Sequence, residues 1–136
     1  MKTVLVFGTY DVFHKGHEYF LREAAKLGDR LVVVVARDTN VERLKGRLPH
    51  DSEDVRLQNV AAFDAVSEAR LGYEEWGKHL QVLTDVAPDV IALGYDQKAK
   101  LPQEWESKAV RIDSFEPETY KSSKLRPDIG FVVRKK

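Results

Sequence analysis

Thr3-Val4-Leu5-Val6-Phe7 and the run from Leu31 to Ala36 are short, unbroken and rich in β-branched residues, so a chain that carries both must bury both faces of each. A strand with one wet face would alternate apolar with polar residues, and neither run does. Between them Phe20, Ala24 and Leu27 recur at helical spacing, with Leu21 and Ala25 widening the stripe. Gly28 is placed to close that helix in a left-handed cap after Lys26. Strand, helix and strand in this order form the unit of a parallel sheet with right-handed crossovers.

The pattern continues down the chain. Val90-Ile91-Ala92-Leu93 before Gly94, and Ala109-Val110-Arg111-Ile112, read as further strands. Asp51 or Ser52 caps a helix carrying Val55, Val60 and Ala61, with Glu53 and Asp54 in its first turn, where the dipole favours them. Trp76, Leu80, Leu83 and Ala87 form another stripe that ends at Pro88. The expected fold is α/β: a Rossmann-like, doubly wound parallel sheet with helices on both faces. At 136 residues one domain, 1–136, is expected. Residues 96–107 suit a surface loop with a short helix around Glu104, and 113–136, with two prolines, Gly130 and a basic end, suit an extended tail.

Composition narrows the function. Twenty-two basic and 22 acidic side chains give a net charge of +0, which argues against gripping nucleic acid by counterion release. Any anion must be held by a local cluster. The absence of cysteine excludes disulfides, a thiolate nucleophile and Cys-ligated zinc, and suits a reducing cytoplasmic setting. The longest near-apolar run is too short for a bilayer, and the N-terminus lacks a signal-peptide pattern.

The segment Gly8-Thr9-Tyr10-Asp11-Val12-Phe13-His14-Lys15-Gly16-His17 lies where the first strand ends and the first helix begins. Ligands of open α/β sheets bind at the carboxyl ends of strands, and a helix start there offers free N–H groups to an anion. His14 and His17 are three apart, so both imidazoles can face one point, and Gly16 removes a side chain where a phosphate would approach backbone. The glycine spacing fits neither a Walker loop nor a dinucleotide fingerprint. Surface caps are the plain alternative for the two histidines. A metal held by Asp11, His14 and His17 is a third, but no nearby His or Cys completes that set, and no metal site is expected.

Gly8-Thr9-Tyr10-Asp11 followed by His14-x-Gly16-His17 resembles the signature of the small nucleotidyltransferases, the superfamily of glycerol-3-phosphate cytidylyltransferase, phosphopantetheine adenylyltransferase and archaeal-type FAD synthase. Val35-Ala36-Arg37-Asp38, Lys45-Gly46-Arg47-Leu48-Pro49, Ala92-Leu93-Gly94-Tyr95-Asp96-Gln97 and Ser122-Ser123-Lys124-Leu125-Arg126 fall where the later blocks lie. The Ala-Arg-Asp, Lys-Gly-Arg-x-Pro and Gly-Tyr-Asp-Gln strings are similar to those of archaeal-type FAD synthase. Two features depart from it: Pro127 follows Arg126 at once, and cysteines common near the C-terminus of those enzymes are absent.

The resemblance implies a nucleotidyltransferase that joins the adenylyl group of ATP to FMN, releasing pyrophosphate, with Mg²⁺ on the triphosphate and a homodimeric assembly. A cytidylyltransferase using CTP and a small phosphorylated alcohol such as glycerol 3-phosphate is the nearest rival, and a nucleotide-binding module without chemistry the rival of another class. His14, His17, Lys45 and Arg126 would be catalytic. Gly8, Thr9, Tyr10, Asp11, Gly16, Gly94, Asp96, Ser122 and Ser123 would bind the nucleotide, the two serines and Arg126 at its β- and γ-phosphates. Lys45 would bring the two anions together from a loop after the second strand, with Arg47 a weaker candidate and Arg37 and Asp38 ordering the loop. By residue type alone Lys45 reads as a solvated lysine and Asp96 as a turn or cap. Tyr10 and Tyr95 offer rings for stacking, Trp76 reads as core, and His50 and His79 receive no role.

Overall fold

A computed structural model of the chain describes residues 1–75, 78, 80–95, 97 and 101–113. Five parallel strands, β1 (Thr3–Gly8), β2 (Arg30–Val35), β3 (Glu68–Leu71), β4 (Val90–Gly94) and β5 (Ala109–Ile112), form one sheet in the order β3-β2-β1-β4-β5. Pairing runs in step from Thr3↔Arg30 to Gly8↔Val35, and Val4 lies opposite Val90 on the other side. β1 therefore sits at the centre, and the winding direction reverses between β1 and β4.

Successive side chains of each strand enter opposite cores, as period-two geometry requires. Val4, Val6, Leu31, Val33 and Val35 pack with Leu21 and Ala24 of α1 (Lys15–Ala25) and Val60 of α3 (Glu53–Ala61). Leu5, Val32 and Val34 pack with Val82 and Leu83 of α4 (Gln81–Val86), joined by Trp105 of α5 (Gln103–Glu106). Both faces are dry, which is why the strand sequences are continuous apolar runs.

Several expectations need correction. β3 is absent from the sequence reading because Glu-Ala-Arg-Leu pairs on one side only and is half-exposed throughout, so no apolar run marks it. α2 (Asp38–Lys45) occupies what was read as a loop. Gly28 does not adopt a left-handed cap, for α1 ends on Lys26 in right-handed geometry. Gly28 is needed for space: a Cβ there would stand 2.7 Å from the Lys2 carbonyl oxygen. The left-handed glycine cap belongs to Gly46, after α2. In α3 Ser52 is the N-cap as expected, but Val55 and Ala61 are exposed, and Arg56 and Val60 are the buried pair. α4 starts only after Leu80, and Trp76 lies outside the described residues.

Candidate active site

The loop from Thr9 to His14 leaves the central strand at the reversal point, where an open sheet forms a crevice. Two of its residues have positive φ, Tyr10 at 55° and Val12 at 47°. The turn is held tight from beneath. Tyr10 is 4% exposed, and its ring lies over Gly8, where a Cβ would come within 2.5 Å of Cε2. Tyr10 is thus a core residue whose face is spent inside the protein, contrary to the expectation of a ring free to stack. Burial pushes its phenol well above the ordinary range.

His14 is the N-cap of α1. Its Nδ1 accepts the Gly16 N–H at 3.0 Å, and the His17 Nδ1 accepts the His14 N–H at 3.2 Å. These are the two halves of a capping box, with imidazoles where serine and glutamate usually stand. A neutral imidazole that accepts at Nδ1 carries its proton at Nε2, so both rings are fixed as Nε2–H donors. The rings stack with centroids 3.8 Å apart at 26°. Among the described residues no hydrogen bond occupies either Nε2. Phe13 stacks on the other side of His17 at 5.5 Å, and Tyr10 meets it edge-on at 5.4 Å. Burial, with the neighbouring charge of His14, lowers the His17 pKa to about 4 against the opposing pull of Asp11. His17 is therefore neutral at physiological pH.

Gly16 has a reason the sequence did not reveal: a Cβ there would meet Cε1 of His14 at 2.9 Å. The glycine makes room for the imidazole itself. Asp11 holds the other wall, its two carboxylate oxygens accepting the N–H groups of His50 and Asp51, each at 2.8 Å. Burial raises its pKa, but these backbone donors and the charge of Arg56 outweigh it and keep the carboxyl below its ordinary value. Thr9 contributes its carbonyl, which accepts from Arg56 at 2.8 Å.

Lys45 is exposed in the last turn of α2, not in a loop, with Gly46 and Arg47 beyond it. The segment that follows is pinned beside the histidine loop through the Asp11 bonds to His50 and Asp51. Arg37 and Asp38 order this wall as expected: Arg37 pairs with Glu53 at 3.2 Å and donates to the Gly72 carbonyl, and the Asp38 N–H donates to Glu53 at 2.8 Å. On the other side of the crevice the side chain of Gln97 fills the space over Gly94, accepting the Gly94 N–H at 3.1 Å and donating to the Phe7 carbonyl at 3.3 Å. Arg111 donates to the carbonyls of Gly94 and Gln97. Asp96, Ser122, Ser123 and Arg126 lie outside the described residues.

Sequence reasoning missed Phe13, Arg56, Gln97 and Arg111. Only Arg56 left a signal, a charged residue four before Val60 on the buried stripe of its helix. As to ligand-holding groups, Asp11, His50 and Asp51 bring candidate ligand atoms within 4.8 Å of one another. Both Asp11 oxygens already accept amide protons, and His50 Nδ1 lies 2.9 Å from the Asp51 carboxylate. Among the described residues no helix is long and apolar enough to cross a membrane.

Comparison with known proteins agrees with this architecture. A family model described as Cytidylyltransferase-like matches residues 5–126. A protein named FAD synthase from Aciduliprofundum boonei is 41% identical over 128 residues, covering 92% of this chain and 84% of its own. Another of that name, from Thermoplasma acidophilum, is 39% identical over 137 residues, covering 95% and 94%. The crystal structure of a lipopolysaccharide core biosynthesis protein from Thermoplasma volcanium superposes with a TM-score of 0.76 at 39% identity, covering 85% of this chain and 99% of that one.

Proposed function

The chain belongs to the cytidylyltransferase-like family and is a nucleotidyltransferase, and we propose that its reaction is adenylyl transfer from ATP to FMN, giving FAD and pyrophosphate. The observation that carries the reading is the stacked pair of imidazoles at the start of α1, each accepting a backbone N–H at Nδ1 and so presenting Nε2 as its donor. The choice of acceptor rests on the relatives named FAD synthase, matched over most of their length.

In such a transfer an FMN phosphate oxygen attacks the α-phosphorus of ATP while the bond to pyrophosphate breaks on the opposite side. No protein nucleophile is needed. The site has to align two anions and stabilise charge on the α-phosphoryl oxygens, which is work for fixed donors. His14 and His17 donate their Nε2–H groups there, and neither has to lose a proton. The start of α1 adds its positive potential. Lys45 approaches from the end of α2 to offset repulsion between acceptor and triphosphate, and Ser122, Ser123 and Arg126 hold the departing phosphates. Mg²⁺ accompanying the triphosphate would supply charge neutralisation. Asp11, His50 and Asp51 do not fit as its cage, since Asp11 is already engaged by amide protons. A cytoplasmic homodimer completes the proposal.

The test is product formation. With ATP and FMN the protein should release pyrophosphate and form FAD, and CTP with glycerol 3-phosphate should give neither product of the rival reaction. Pyrophosphate from the second pair alone overturns the assignment, and tight nucleotide binding without pyrophosphate from either pair favours a module without chemistry.

A further inference from the structure

Arg56 is 0% exposed, an uncommon place for a guanidinium. Its Nε donates to the Asp51 carbonyl at 3.0 Å, Nη1 to the Thr9 carbonyl at 2.8 Å and Nη2 to the Asp38 carboxylate at 2.6 Å. These acceptors come from three separate segments. Thr9 opens the loop that ends at His14, Asp38 opens the helix that ends at Lys45, and Asp51 lies in the segment joining that helix to α3. Two of the three are backbone carbonyls outside any helix or strand, so the side chain supplies the partner that secondary structure would otherwise give.

Stability alone does not account for this arrangement. A buried charge costs desolvation that its partners often only offset, and well-packed apolar residues frequently replace such groups at no loss. What an apolar side chain cannot do is fix the relative placement of three loops, and a lysine, with one compact ammonium, cannot fork to all three acceptors. Asp11 ties two of these three segments, the loop that ends at His14 and the segment holding Asp51, by accepting the His50 and Asp51 N–H groups. The Asp38 and Glu53 ends are cross-tied as well, since the Glu53 N–H donates to Asp38 Oδ2 at 3.2 Å while Glu53 Oε1 accepts the Asp38 N–H.

We propose that Arg56 is a positioning residue for nucleotidyl transfer, its guanidinium setting the loop that carries the histidine pair against the start of the helix that carries Lys45. The inference rests on the reading of the histidines and Lys45 given above, and on no particular acceptor. The guanidinium does not touch the reacting groups. It keeps the two walls in register, and a misplacement of about 1 Å in such a site is worth about 100-fold in rate.

The experiment uses the full chain with Arg56→Met and Arg56→Lys, reading thermal midpoint, kcat and KM for ATP, and the ring-nitrogen NMR signals of His14 and His17, which need no substrate. Both variants are expected to fold, with kcat down by about 100-fold and KM for ATP changed less than about threefold. The histidine signals are expected to shift from the fixed Nε2–H form toward tautomer averaging. A folded Arg56→Met with turnover within about threefold of the parent overturns the proposal, and so does parental turnover in Arg56→Lys when Arg56→Met fails to fold. If neither variant folds, the residue serves stability and the proposal is likewise overturned. Should the parent make no FAD, the acceptor assignment fails, and the histidine signals still decide the role of Arg56: unchanged signals in a folded variant overturn it.

Discussion

His17 binds its proton near pH 4 in the folded chain, because burial and its neighbour His14 disfavour the imidazolium, whereas an unfolded histidine does so near 6.5. Between those values the unfolded chain holds more protons, so stability fully present above pH 6.5 is lost as the pH falls towards 4. Thermal midpoints measured across that window should fall with pH, and His17→Asn should flatten the decline; an equal slope in both proteins would contradict the assignment. Tyr10 carries a different burden. Among the described residues its buried hydroxyl has no hydrogen-bond partner, so Tyr10→Phe removes an unmet donor and should raise the midpoint, by about 1 kcal/mol in stability. A lower midpoint would show that the hydroxyl is satisfied. Both residues were visible in the sequence as site candidates. Their surroundings were not, since the ring stack, the buried hydroxyl and the dependence of Gly16 on His14 arise from atoms brought together by the turn.

The two glycines that follow helices show how far element boundaries can be read from letters. Gly28 and Gly46 both follow amphipathic or charged helical stretches, yet of the two only Gly46 has positive φ, at 80°, and among the described residues nothing lies within 4 Å of its would-be Cβ. Gly28 instead lies against the Lys2 backbone. Gly46→Asn should therefore keep most of the stability, because asparagine tolerates the left-handed conformation, while Gly28→Asn should lose far more through steric conflict. Chemical denaturation of the pair tests this, and equal losses would contradict it. Ser52 was legible because capping is local: its Oγ accepts the Val55 N–H at 3.3 Å, and Ser52→Ala should cost about 1 kcal/mol. β3 and α2 were not legible. β3 owes its existence to β2, and α2 is held by Asp38 and Arg37 through partners at Arg56, Glu53 and Gly72.

At the scale of the molecule, the continuous apolar strands dictated a sheet covered on both faces, and the strand order then put the end of β1 at the reversal point. The location of the histidine segment could therefore be read from sequence. The second wall could not, since it is assembled by Arg56 and Asp11 across 39 to 47 residues of chain. The central claim is that two distal N–H donors, held by a cap made of their own Nδ1 atoms, stabilise the transferring phosphoryl group. Asparagine at 14 retains an N-cap acceptor but has no atom where Nε2 lies, whereas glutamine reaches further toward that place. The most direct test is the rate of FAD formation by His14→Asn and His17→Asn, each checked for folding by its thermal transition, beside the matching glutamine variants. A loss of about 100-fold or more in each folded asparagine variant, partly restored by glutamine, is the predicted result. Undiminished turnover in the folded asparagine variants would contradict it.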